Sequence, residues 1–192
     1  MKQKELKQIY PYNDELGGYI IDVQLDDYRD AYSVWDFSPF TNRDLDEDLM
    51  KYLLECSYEI PLKYSIIINY HILNQKQNQI REDKSIKGMY NYFKYGIRKL
   101  INYRIGVVRD SIAFFIAGSV LLILGAYLKK VLNDTILFEV LSEGLFIGGW
   151  VMIWEMFSTW FFDVRKATRK IKHLKRLQES TIKFKYSIKD KP

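Results

Sequence analysis

A single cysteine, Cys56, leaves this 192-residue chain without an intrachain disulfide framework, which fits a domain facing a reducing compartment. Only two histidines are present, His71 and His173. Neither is close in sequence to Cys56 or to a serine in a nucleophile turn. The chain carries no Walker loop, no G-x-G-x-x-G and no CxxC pair. With those signatures missing, no cofactor, metal centre or catalytic constellation is expected, and the leading expectation is a non-enzymatic protein. Residues 1–7 are polar and charged with no apolar stretch behind them, so the first part of the chain is expected to stay on the side where it is made.

Charge is missing from one stretch in particular. Residues 111–128 read SIAFFIAGSVLLILGAYL, with no Asp, Glu, Lys or Arg. That length approaches the roughly 20 residues that cross about 30 Å of hydrocarbon. A second long apolar stretch, 136–162, is interrupted by Glu139, Glu143 and Glu155. Ionised groups deep in a bilayer are costly. The second span is therefore expected to shift so that Glu139 and Glu143 lie at the outer interface, with Trp160, Phe161 and Phe162 near the inner headgroups.

The mean hydropathy of −0.22 averages two unlike populations. Residues 1–62 carry 6 basic against 14 acidic side chains, net −8, and residues 63–192 carry 23 against 10, net +13. The basic excess flanks the apolar stretches. Arg98, Lys99 and Arg104 precede the first, along with Lys94 and Arg109. Arg165, Lys166, Arg169 and Lys170 follow the second, and the connection holds only Lys129 and Lys130. The positive-inside rule then puts both flanks and both termini in the cytoplasm, as a multi-pass protein of the cell membrane. The basic run 165–176 is read as contact with anionic lipid ahead of nucleic acid.

Within the two spans, Ser111, Gly118 and Gly125 recur every seven residues on the first, and Gly144 and Gly148 form a G-x-x-x-G on the second. Small residues let helices approach closely in lipid. They are expected to pack the hairpin, or to join copies into a homo-oligomer through the glycine face. A turn centred near Leu132 would set Glu155 at the depth of Arg109, and an Arg109–Glu155 ion pair would neutralise both. Asn133-Asp134-Thr135 has the form of a glycosylation sequon.

Outside the hairpin, three segments alternate with period two, near 19–25, 63–73 and 181–188, each with one apolar face and one polar face. Helices are expected near 45–57, with Asp44 as N-cap and Glu47 completing a capping box, and near 84–107. Residues 1–16 and 26–43 read as loop. The expected organisation is a cytoplasmic part over 1–107, a transmembrane helix over 108–130, a short external loop over 131–135, a second transmembrane helix over 136–162, and a basic helix with a final strand over 163–192. The fold class is an α+β membrane protein: a two-helix transmembrane hairpin continuing into cytoplasmic helical stalks packed on a small three-stranded sheet.

Acidic residues offer two weak motifs. Asp44, Asp46, Asp48 and Glu55 match positions of a calcium loop, but Leu49 stands where that loop needs glycine. Asp26, Asp27, Asp30 and Asp36 form a loop rich in carboxylates of the kind metal-assisted hydrolysis uses, without His or Glu at ligand spacing. Three readings follow. The first is a membrane-anchored binding or scaffolding module with an unidentified cytoplasmic protein partner, acting through its polar sheet face and acidic loop. The second is an oligomeric membrane effector or channel subunit gated by the cytoplasmic domain. The third and last is a membrane-surface metal-dependent hydrolase.

Overall fold

A computed structural model describes residues 3–73, 76–131 and 136–187. The expected turn at Leu132, the sequon and most of the external loop, and Ile188 lie outside the described residues. The elements, in chain order, are α1 (Gln3–Ile9), β1 (Tyr12–Asn13), β2 (Gly18–Leu25), a 3₁₀ turn (Tyr28–Ala31), α2 (Glu47–Glu59), β3 (Ser65–Leu73), α3 (Gln79–Val131), α4 (Ile136–Ser158), a π-helical segment (Thr159–Val164), α5 (Arg165–Gln178) and β4 (Thr181–Ser187). The protein is a mixed α+β chain with two long apolar helices. It divides into two compact units, residues 1–98 with 171–192, and residues 99–170.

The first unit is built on a sheet of order β1-β2-β3-β4. Strands β2, β3 and β4 run parallel, with Ile21 beside Ile68 and Ile68 beside Ile182, and β1 is antiparallel to β2. The sheet therefore has four strands, not the expected three. The added strand, Tyr12–Asn13, is two residues long and shows no alternation to read. It is fixed by the turn at Gly17, whose φ of 63° favours glycine, and by ring contacts of Tyr12 with Tyr19 and Tyr64.

The expected apolar face holds. Tyr19, Ile21, Val23 and Leu25 on β2, and Ile66, Ile68, Tyr70 and Ile72 on β3, are all buried. The other face is less wet than period two implies, because Ile67 and Asn69 are also buried. Parallel strands at the centre of a sheet tend to be covered on both sides.

Three helix boundaries depart from expectation. Residues 3–9 form α1, whose Leu6 is buried. A seven-residue helix is too short for its periodicity to stand out. The N-cap of α2 is Asp46, not Asp44: its carboxylate accepts from Asp48 N and Leu49 N, at 3.0 Å each. The N–H of Asp44 instead donates to Asp36 Oδ2 at 2.7 Å. Helix α3 starts five residues before Lys84, where the Asn78 side chain accepts from Arg81 N at 3.1 Å. The lone apolar residue of its first turn, Ile80, is exposed, so apolar spacing could not mark it. From there α3 runs unbroken for 53 residues. Gly88 is required within it, since a Cβ there would collide with Phe40 O.

Candidate functional site

In the second unit, residues 99–170, α3 and α4 meet along small residues. A Cβ on Gly118 would lie 2.8 Å from Gly149 O and 2.9 Å from Ile153 Cγ1, and one on Gly125 would lie 3.1 Å from Ser142 O. Ser111 is buried and donates to Val107 O at 2.9 Å, so its hydroxyl is satisfied within its own helix. Of the expected heptad Ser111–Gly118–Gly125, the two glycines thus lie against α4.

The expected stripe on α4 is not the one used. A Cβ on Gly144 would meet nothing within 4 Å, and one on Gly148 would only touch Leu121 Cδ1 at 3.6 Å. The partners of α3 are Ser142 and Gly149, both buried and themselves seven apart. Two antiparallel helices pack best when both present the same repeat, and a four-residue glycine spacing does not match a seven-residue one.

The same contacts correct the expected ion pair. They set Gly118 level with a point between Gly149 and Ile153, and Gly125 level with one between Ser142 and Leu145. Arg109 then stands level with about Trp160, and Glu155 with about Phe114. Arg109 Nε lies 3.5 Å from Asp110 Oδ1, and Glu155 Oε1 accepts from Thr159 Oγ1 at 3.4 Å. The Arg109–Glu155 pair does not form, because the register is shifted by about one and a half helical turns from a hairpin centred on Leu132.

The outside of this hairpin is apolar. Only 17% of the apolar window of α3 and 11% of that of α4 are buried. Ile112, Phe115, Ile116, Val120, Trp150 and Trp154 are among the exposed side chains. Trp150, Val151, Ile153, Trp154 and Phe157 line an open groove of about 510 Å³. Arg98, Lys99, Arg165, Lys166, Arg169 and Lys170 are exposed and Arg104 is half-buried. Within α5, Ala167, Ile171, Leu174 and Leu177 turn inward while the lysines turn outward.

Among the described residues of the sheet unit, four polar clusters bear on its chemistry. On the sheet, His71 Nε2 donates to Asp22 Oδ1 at 2.7 Å and Asn69 Nδ2 donates to the same oxygen at 3.2 Å. Partial burial favours the neutral acid, but these bonds and nearby Lys185 outweigh it and hold the Asp22 carboxyl below its usual range. The pairing of His71 with Asp22 follows from the register of β2 and β3.

A second cluster is internal. Arg176 is buried, and its Nη1 donates to Ile60 O and Pro61 O at 2.9 Å each. Its Nη2 donates to Ser57 O and to Ser57 Oγ. The guanidinium thereby closes the C-terminal end of α2, where orphan carbonyls and the helix dipole favour a cation. Burial pushes the Arg176 pKa down to about 10. Ser57 Oγ donates in turn to His173 Nδ1 at 3.0 Å, and the His173 ring packs edge-on against Tyr58. A serine and a histidine at this distance have the geometry of a base-assisted nucleophile. Here Ser57 is fully buried beside a cation, which fits a structural pair. In the sequence Arg176 belongs to the basic run, and what sets it apart is its spacing of three from His173 along the flank of the inward stripe.

Third, Tyr186 Oη donates to Glu82 Oε1 and shares a hydrogen bond with Tyr28 Oη. This joins β4, the 3₁₀ turn and the first turn of α3, and burial and the carboxylate together push the Tyr186 phenol up.

The fourth cluster is the acidic loop. Asp36 accepts from Ser38 N at 2.9 Å and Asp44 N at 2.7 Å, and the Ser38 hydroxyl first, then these two N–H groups, hold its carboxyl down at about 2. Asp27 accepts from Arg29 N at 2.8 Å, and Asp30 Oδ2 accepts from Asp27 N at 2.7 Å and Asp26 N at 3.2 Å. These three carboxylates, Asp27, Asp30 and Asp36, organise turns. Among the described residues no group of three or more metal-ligating side chains converges. No protein-family model, curated protein or solved structure matches the chain.

Proposed function

We propose that this chain is a membrane-anchored binding module, with the α3–α4 hairpin as its anchor and the sheet unit as its cytoplasmic working part. The observation that carries the reading is the inverted surface of the hairpin, with small residues inside and large apolar ones outside. A water-soluble helical pair does the opposite. Residues 111–128 stand level with about 141–158, and 18 residues rise about 27 Å, close to the hydrocarbon thickness. In that frame Glu139 stands level with Lys130 at the outer end. Glu155 lies about one turn inside the inner boundary, near enough for its carboxylate to reach the headgroups. Trp160 and the cations Arg109 and Arg165 fall at the inner interface, which supports the cytoplasmic placement of both flanks.

Two measurements test the anchor and its direction. The protein should stay with membranes through alkaline carbonate extraction, and a cysteine at position 130 (Lys130→Cys) should react with an impermeant maleimide only from outside the cell. Release into the soluble fraction, or labelling only after lysis, refutes the reading.

A second reading, an oligomeric effector or channel subunit, is favoured by one observation. Glu155 and the open notch at Gly144 both lie on the exposed side of α4, and intramembrane carboxylates normally face a partner or a path. Ion flux through liposomes above background, lost in Glu155→Ala, supports it. Equal background flux from both removes it.

A further inference from the structure

We propose that the loop between the 3₁₀ turn and α2, residues 33–46, docks a basic polypeptide that presents an apolar recess and a Lys or Arg side chain. The proposal rests on the reading of the chain as a binding module and names the surface and the partner chemistry.

The first observation is exposure. Val34, Trp35 and Phe37 are 88%, 93% and 97% exposed. Single exposed apolar residues are ordinary, but three large ones side by side at a loop tip mark an interaction surface. Trp is also the residue type that most often carries binding energy.

The second observation is that the tip is held. Asp36 accepts the N–H groups of Ser38 and Asp44, and Ser33 N donates to Asp44 O at 2.9 Å. Phe40 stacks edge-on against Tyr32, and Asn91 Nδ2 donates to Thr41 O at 2.9 Å. A presented, pre-ordered tip loses little conformational entropy on binding.

The third observation is charge. Residues 26–48 hold eight carboxylates against Arg29 and Arg43. Both arginines have partners inside the segment: Arg29 Nε meets Asp27 Oδ1 at 3.2 Å, and Arg43 donates to Ser38 O at 2.8 Å and lies over the Phe40 ring. Beside the tip, a cleft of about 210 Å³ is lined by Asn42, Arg43, Asp44, Asn91, Tyr92 and Tyr95. Burial raises the pKa of Tyr92, and the negative potential of Asp44 and Glu47 adds to it. Carboxylates and phenol faces together suit an ammonium or guanidinium group. The same field repels anionic headgroups and nucleic acid, so a bilayer or an RNA is disfavoured as the occupant.

The test uses the full chain in phosphatidylcholine nanodiscs, with a fluorescein-labelled amphipathic lysine–leucine peptide as probe and fluorescence anisotropy as readout. Saturable binding that weakens with salt is expected, with roughly tenfold loss of affinity in the Trp35→Ser/Phe37→Ser double variant and a smaller loss in Asp44→Asn. A glutamate–leucine peptide should not bind. All three substituted positions are exposed, and an unchanged circular dichroism spectrum verifies that each variant folds. Binding that ignores these substitutions overturns the proposal. Quenching of Trp35 emission by brominated phosphatidylcholine, taken as the difference from Trp35→Phe, overturns it in favour of lipid. A change from dimer to monomer in the double variant, without peptide binding by the native chain, overturns it in favour of a second copy. None of these readings depends on the carbonate or maleimide experiments, so failure of the docking surface and failure of the anchor are separable.

Discussion

Replacing Gly118 by alanine should damage the hairpin, and the same change at Gly144 should not. At Gly118 the new methyl would lie 2.8 Å from a backbone oxygen of Gly149 and 3.2 Å from Ile153 N. Neither atom can swing aside as a flexible side-chain end could, so the helices must separate by about half an ångström to restore an ordinary contact. Over-packing of this kind costs about 1–3 kcal/mol, or roughly 5- to 150-fold in the unfolding equilibrium. At Gly144 nothing lies within 4 Å, and alanine is the better helix former by about 1 kcal/mol, so stability should hold or rise. The assay is unfolding in mild detergent titrated with dodecyl sulfate, followed by circular dichroism. Equal loss at both positions, or loss at Gly144 alone, would refute the register and restore the G-x-x-x-G as the contact face.

Three further predictions concern the sheet unit. Arg176→Met should destabilise it by about 2–3 kcal/mol, since several carbonyls at the end of α2 lose their donors, and Arg176→Lys should not restore it because an ammonium cannot span the same fork; thermal melts of the variants check both. Tyr70 Oη is buried with no hydrogen-bond partner among the described residues, so Tyr70→Phe should leave the melting temperature unchanged or raise it, whereas Tyr186→Phe, which breaks the bond to Glu82, should lower it. Asp36 has a folded pKa near 2 against an ordinary 3.8. Its contribution to ordering the loop is therefore complete above about pH 4 and lost as the pH falls toward 2. Acid-resistant limited proteolysis should show cleavage within 33–46 appearing over that window, and Asp36→Asn should show it already at neutral pH.

Local pattern was enough to find the strands at 18–25, 65–73 and 181–187, because burial of one face imposes period two on side chains whatever the strand's neighbours are. It was also enough for the two long apolar helices and the basic flanks, since length and charge need no knowledge of packing. Among the candidate site residues, Ser111, Gly118 and Gly125 were legible as a seven-residue repeat. Their partners on α4 were not. Both Gly144–Gly148 and Ser142–Gly149 place small residues one above the other on a helix, and only the facing surface of α3 selects between them.

Other features depended on segments that lie far apart in the chain. Arg176 reads as one more cation in a basic run until α2 and α5 meet and it caps Ser57 and Ile60. Tyr186 and Glu82 have no local reason to pair. The hairpin register also decided that Arg109 and Glu155 stand about one and a half turns apart. Composition and periodicity are properties of neighbouring residues, so they mark the longer strands, the long helices and the membrane-like stretches, while α1 and β1 are too short to show either. Which buried polar atoms find each other, and which face of a helix is used, depends on the alignment of distant segments and emerges only when those segments pack.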